Sequence, residues 1–479
     1  MISFILNNQS VETALPPGST VLDFVRYHKN LKGTKIGCRE GDCGACNILV
    51  GGFENDKLVY RSMTSCLMPL GNAHVKHIVT VEGINLSPTK TSLPQLSPVQ
   101  KAMVDTNGTQ CGFCTIGFIM SFTGFTFQQT KKYEDAIAAI DGNICRCTGY
   151  KSIERAAKLI IEKIKDKPAK DIIAWLTDNG FLPSYFKNIE QRLKDLKSKI
   201  AEPISVLHET SVEGVLGGGT DLIVQKPLAI KKSANELVFN RKDLKGVFEK
   251  EGVIYLGASV TVTDFAESPV IQQSFSELKQ QIKYISSTAI RNMATIAGNF
   301  VNASPIGDMT VYFLALDASI VLNNNGKQRT IKLKDFYRGY KTIDKEKEEI
   351  IETILFSAQA KNTHFNFEKV SKRKYLDIAS VNSAASITLN RNVISDIHLS
   401  AGGVAPFPKY LNATCNFLKG KTINDSTLRE AMEILNSEIS PISDARGSAG
   451  YKRLLLRQLF LAHFLKAYGP EPVQKILVP

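Results

Sequence analysis

Apolar and polar positions set out the first elements. Ile2-Ser3-Phe4-Ile5-Leu6 reads as a strand, and Asn7-Asn8-Gln9 predicts the turn of a hairpin. Thr20-Val21-Leu22-Asp23 has the form of a capping box and predicts a helix through Tyr27. Strands follow at residues 47–50 and 57–61. From residue 86 the spacing becomes helical: Ser97-Pro98 predicts an N-cap and first helical residue, starting a helix through Val104. A second helix is predicted near Cys111 and Cys114, three apart and hence on one face. A third spans 131–140 and ends at the turn Asp141-Gly142. A fourth spans 152–165, with Ile153, Ala156, Ala157, Ile160 and Ile164 along one side. Residues 166–200 are lysine-rich and interrupted by Pro168 and Pro183, and Trp175, the only tryptophan, reads as a packing anchor. Alternating apolar residues return after residue 365 and lead to Gly402-Gly403-Val404-Ala405-Pro406; a last helix follows Tyr451-Lys452-Arg453.

A chain of 479 residues exceeds one hydrophobic core and predicts about three domains. Hydrophobic content of 43% and charged content of 22% are those of globular proteins with large cores. The net charge of +13 could suit nucleic acid, but the basic residues are spread out. Runs such as Lys163-Ile164-Lys165-Asp166-Lys167 mix bases with acidic and apolar residues and read as solvated helix faces. No nucleic-acid partner is expected. The longest apolar run, Thr115 to Phe127, is broken by Gly117, Ser121, Thr123 and Gly124, short of the ~18 residues a membrane span needs. The N-terminus also lacks a secretory pattern, so a cytoplasmic, reducing setting without membrane insertion is expected.

Eight of the nine cysteines fall in two sets, Cys38, Cys43, Cys46, Cys66 and Cys111, Cys114, Cys145, Cys147. The first has the C-x4-C-x2-C spacing and distant fourth cysteine of plant-type [2Fe–2S] sites. The second offers two close pairs, each able to give two thiolates to one cluster. A disulfide framework belongs to short secreted chains. Structural zinc competes at the second set, but the glycine-rich loop Gly37–Gly44 and the single-residue gap between Cys145 and Cys147 are unlike a zinc ribbon. Glycines let a backbone curl around a cluster, and the amides it exposes can bond the sulfurs. Helix N-termini nearby would favour the anionic centre. Cys415 has no such partner and reads as a buried apolar thiol.

Two further stretches carry chemistry. Leu216-Gly217-Gly218-Gly219-Thr220-Asp221 could press its backbone against a diphosphate, although a glycine run is more often a plain turn. The small and hydroxylated residues of 294–308 make a surface that a flat ring and diphosphate can approach.

The segments 37–46, 110–115 and 143–150 together resemble the iron–sulfur half of the xanthine dehydrogenase family of molybdenum hydroxylases. The two glycine-rich stretches resemble that family's flavin signatures, of vanillyl-alcohol-oxidase rather than Rossmann type. The resemblance implies a multidomain α+β fold: a plant-type ferredoxin β-grasp domain (1–85), a four-helix [2Fe–2S] domain (86–165), a linker (166–200), an FAD-binding α+β domain (201–365) and a small α+β C-terminal domain (366–479). It implies that Leu216, Gly217, Gly218, Gly219, Thr220, Asp221, Leu222 and Ile223 line the diphosphate. Thr295, Ile296, Ala297, Gly298 and Asn299 would meet the ribityl and phosphate region, and Asp308 the adenosine side. Ile351 and Lys369 would also contact FAD, as would Ile285, where animal relatives carry phenylalanine. Leu376 replaces an acidic residue of those relatives. Tyr340 reads as a packed tyrosine or a residue on the nicotinamide approach.

Gln110 would touch a molybdopterin cofactor held by a large partner subunit, in an assembly of two subunit pairs. The implied activity takes electrons from hypoxanthine or xanthine at molybdenum through both clusters to FAD and then NAD+, with no catalytic side chain on this chain. A related hydroxylase of aldehydes or another N-heterocycle, and a stand-alone iron–sulfur flavoprotein carrier, are the other readings.

Overall fold

The computed structural model describes residues 1–86, 95–200, 214–232, 235–470 and 473. The expected flavin-domain start at 201, Pro203 and the expected final boundary at 479 lie outside the described residues. The chain divides into two compact units, Met1–Asn240 with Ser287–Ala294, and Arg241–Ser286 with Thr295–Pro479.

In the first unit, β1 (Ile2–Leu6), β2 (Gln9–Thr13), β3 (Asn47–Glu54), β4 (Lys57–Thr64) and β5 (His77–Val79) form one sheet in the order β2-β1-β5-β3-β4. Only the β1–β5 pair is parallel. The predicted hairpin turns at Asn7, whose φ of 53° places it in the left-handed region that asparagine tolerates. Thr20 caps α1 (Val21–Asp23) by accepting from the Asp23 amide at 3.1 Å. The chain then widens into a π-helical turn over Phe24–His28, so the predicted helix is present but not α-helical throughout.

The four expected helices are α2 (Pro98–Asp105), α3 (Thr115–Thr126), α4 (Tyr133–Ala139) and α5 (Lys151–Lys163). Ser97 and Gln100 cap α2 reciprocally, as the serine–proline signal implied. Phe118, Phe122 and Phe125 of α3 meet Ile153, Ala156 and Ile160 of α5 in one buried core. In the lysine-rich stretch lie α6 (Ile172–Asp178) and α7 (Ile189–Lys199), and Leu176, Phe181, Leu182 and Phe186 join the same core. Trp175 packs against that core, its ring 5.8 Å from Phe181. The unit is completed by the parallel pair β6 (Gly214–Leu216) and β7 (Asn235–Leu237) and by the short helix Thr288–Arg291.

The second unit carries β8 (Val247–Lys250), β9 (Val253–Gly257), β10 (Ser319–Asn324), β11 (Lys327–Lys332), the ribbon β12 (Tyr337–Gly339) and β13 (Thr342–Ile343), and β14 (Ile350–Ser357). Five of them pair antiparallel in the order β11-β10-β14-β9-β8. A second antiparallel sheet runs β15 (Thr363–Val370), β16 (Val381–Asn390), β17 (Val393–Gly402), β18 (Lys409–Tyr410). The helices Asp425–Glu438 and Ala449–Tyr468 share its core through Leu428, Leu435, Leu456, Phe460 and Phe464.

Candidate functional site

The loop 37–46 folds back on itself through left-handed residues at Arg39, Gly41 and Gly44. Its curl presents amides to sulfur: Glu40 and Asp42 donate to Cys38 Sγ, each at 3.3 Å, and Cys38 donates to Cys43 Sγ at 3.5 Å. Gly37 is needed because a Cβ there would lie 2.6 Å from Cys43 Sγ. The neighbouring Cys43 sulfur, with the Glu40 and Asp42 amides, holds the Cys38 thiol down at about 5 and is itself pushed up by Cys38. Cys46 and Cys66, both buried, act on each other in the same way, Cys46 lowered and Cys66 raised. The thiols of this set therefore approach in two pairs.

The second set repeats the arrangement, with Cys111 and Cys147 exposed, Cys114 half-buried and Cys145 buried. Cys111 Sγ and Cys147 Sγ lie 3.6 Å apart. Two thiolates on one tetrahedral metal at about 2.3 Å would stand roughly 3.8 Å apart. Burial and the Cys145 sulfur push the Cys114 thiol up to about 12, which marks the other pair. The expectation that Cys111 and Cys114 share a helix face is corrected. Cys114 is the N-cap of α3, and Cys111 precedes it in a turn opened by Gly112 at φ 81°. The close approach of several sulfurs to one centre demands a curl tighter than a helix. Among the described residues no three His, Cys, Asp or Glu side chains form a group that could hold a single metal ion. Pairs of thiolates, each completed by bridging sulfide, suit a two-iron cluster.

The two cysteine loops touch. Ile144 N, next to Cys145, donates to Cys43 O at 3.0 Å. A buried side-chain chain reinforces the contact: Asn47 Nδ2 donates to Ser121 Oγ at 2.9 Å, and Ser121 Oγ donates to Asn143 Oδ1 at 2.8 Å. Asn143 Nδ2 reaches Gly44 O at 3.3 Å. Sequence reasoning gave Asn47, Ser121 and Asn143 no role; two flank ligand cysteines, which was the available signal. Gln110, Cys111 and Cys147 are exposed, and so is Phe113 between the first two ligands of the set.

The predicted flavin residues fall in both units. In the first, Leu216 and Ile223 are buried, and Gly217 O accepts from Asn72 Nδ2 at 2.9 Å. Gly218 and Gly219 are also required by the protein's own packing: a Cβ on Gly218 would lie 1.8 Å from Met293 O, and one on Gly219 2.5 Å from Leu67 O. Thr220, Asp221 and Leu222 are half-buried.

In the second unit Thr295 caps the helix Ile296–Asn302, accepting from Gly298 N at 3.2 Å. Ile296 and Ala297 are buried, and Asn299 Oδ1 accepts from Thr310 N at 3.0 Å. Asp308 and Lys369, read separately from the sequence, form one ion pair at 2.6 Å, with the Lys369 side chain only 2% exposed. Asn382 Nδ2 donates to Asp308 at 2.6 Å while its own Oδ1 is buried without a partner. That acceptor packs against the cross-strand Gly402, where an added Cβ would lie 2.2 Å from it. Ile285 and Ile351 are buried and apolar.

Four family models match in succession: a 2Fe-2S iron-sulfur cluster binding domain over 4–70, a [2Fe-2S] binding domain over 80–158, the FAD binding domain in molybdopterin dehydrogenase over 197–356, and the CO dehydrogenase flavoprotein C-terminal domain over 367–467. The chain thus carries, in order, the two iron–sulfur domains, the FAD-binding domain and the flavoprotein C-terminal domain that these models describe. Xanthine dehydrogenase of Emericella nidulans is 29% identical over 96% of this chain and 38% of its own length. The rat xanthine dehydrogenase/oxidase is 27% identical over 98% and 39%. The chain therefore spans about two fifths of these relatives. Carbon monoxide dehydrogenase from Hydrogenophaga pseudoflava shares the fold over 54% of this chain and 90% of its own, with a TM-score of 0.51 and 25% identity.

Proposed function

We propose that this chain is the electron-transfer subunit of a xanthine dehydrogenase, accepting electrons from a molybdenum centre on a large partner chain and delivering them to NAD+. The observation that carries the reading is the hydrogen bond between Cys43 O and Ile144 N, which joins two paired-thiolate loops in one unit of a chain that also has an FAD domain. Cys38 with Cys43 and Cys46 with Cys66 would hold the first cluster, Cys111 with Cys147 and Cys114 with Cys145 the second. Exposed Gln110, Cys111 and Phe113 would face the molybdopterin of the partner. Bound clusters supply one-electron relay, and bound FAD collects two electrons for hydride transfer. The capped helix at Thr295 would meet the ribityl and phosphate region of FAD. Asp308 would meet its adenosine side, and Lys369, Ile285 and Ile351 its flavin. Eight thiolates suit a reducing cytoplasm, and two subunit pairs form the proposed assembly.

A second reading, a sister hydroxylase of aldehydes or another N-heterocycle, draws on the likeness to a carbon monoxide dehydrogenase. Substrate choice then lies in the partner. Purifying the chain with its partner tests both readings. Four irons and one FAD per chain, molybdenum on the partner and xanthine-dependent NAD+ reduction are expected. Full cofactors with no xanthine turnover would move the assignment to the sister enzyme, and a colourless protein would end both.

A further inference from the structure

The segment after Cys147 closes over a single ligand. Gly149 and Tyr150 are consecutive left-handed residues, at φ 61° and 67°. For a tyrosine that conformation costs on the order of 1–2 kcal/mol, so the surrounding contacts must hold it. They do so through Cys145, whose amide donates to Tyr150 Oη at 3.1 Å. The Cys145 sulfur receives three donors: Cys147 N at 3.4 Å, Thr148 N at 3.4 Å and Thr148 Oγ1 at 3.2 Å. The shortest comes from the side chain. Its direction is set, because Thr148 Oγ1 also accepts from Tyr150 N at 3.3 Å, which leaves its own proton aimed at sulfur. Tyr150 amide, Thr148 hydroxyl and Cys145 sulfur are thus a polarised chain in which each bond strengthens the next.

We propose that Thr148 is a positioning residue that sets the reduction potential of the second iron–sulfur centre, by donating its hydroxyl proton to the Cys145 thiolate. Hydrogen bonds to cluster sulfurs favour the more negative, reduced form and so raise the potential. The hydroxyl keeps the centre easier to reduce, beside the loop contact that leads to Cys43. This inference rests on the cluster reading above and adds a role for a side chain that ligates nothing.

The test is a potentiometric titration of the whole loaded protein, followed by electron paramagnetic resonance, on the parent, Thr148→Val and Thr148→Ser. Valine keeps the branched shape and removes the donor. It should lower the reduced-to-oxidised ratio of one centre about tenfold at fixed poise, ~59 mV for one electron, with iron content and the other signal unchanged. Serine should restore the parent value. An unchanged potential in Thr148→Val would overturn the proposal, and so would a serine variant that behaves as valine does. If valine fails to load iron, Thr148→Ala takes its place, and loss of the centre in both variants would assign Thr148 a purely structural role. A parent with no second paramagnetic signal would instead reject the cluster reading itself.

Discussion

His77 is fully buried, its Nδ1 2.6 Å from the Tyr60 hydroxyl and its Nε2 2.8 Å from Asn7 O. His463 sits equally deep between Asn366 Nδ2 and Ser383 Oγ, each at 3.0 Å. Burial depresses both to about 3. Each is neutral in the fold, while the unfolded chain takes up a proton below about 6.5. Their contribution is complete above that pH and drains away as pH falls toward 3, by about 2 kcal/mol per histidine at pH 5. Denaturant unfolding at pH 7 and pH 5 should register the loss, and His77→Gln should flatten the slope for the first unit. At this scale the ligands were legible, since thiolates for one cluster must recur at short, characteristic intervals. Thr148, Ser121 and Asn143 were not, because a hydroxyl or amide gains meaning only from what it meets.

Among the elements, α3 shows how tightly the two cysteine modules are fitted. A Cβ on Gly117 would lie 2.1 Å from Gly44 O, the carbonyl that Asn143 also engages. The helix must therefore lie directly on the first cysteine loop. Gly117→Ala would gain helix propensity yet force the two apart, and overpacking of this kind costs about 1–3 kcal/mol. A lowered melting temperature with reduced iron retention is the expected outcome; a stabilised, fully loaded variant would contradict it. The local pattern located all four helices, through the Ser97-Pro98 cap of α2 and an apolar stripe on α5, although α3 is buried on nearly every side. It misjudged the start of α3, since ligand geometry outweighs helix propensity around Cys111. In residues 166–200 the apolar positions are sparse but fill the helical core.

In the molecule as a whole, the segment Ser287–Ala294 packs within the first unit. Arg291 pairs with Asp141 at 2.9 Å, their side chains 7% and 2% exposed, and Thr288 N donates to the same carboxylate at 2.8 Å. Burial pushes the Asp141 carboxyl up, against the pull of Arg291. Removing one partner strands a charge in the interior, so Arg291→Met should cost about 3–5 kcal/mol, while an apolar replacement of both should cost much less. A double-mutant cycle on thermal unfolding measures the difference; equal losses in single and double variants would oppose this account.

The order of modules and the two cysteine quartets could be read along the chain, because ligand spacing is a local demand. The bond from Ile144 to Cys43, the pairing of Asp308 with Lys369 and the docking of Arg291 on Asp141 join residues 61 to 150 positions apart. Such contacts depend on how packed elements bring distant backbone together, and no interval in the sequence encodes them.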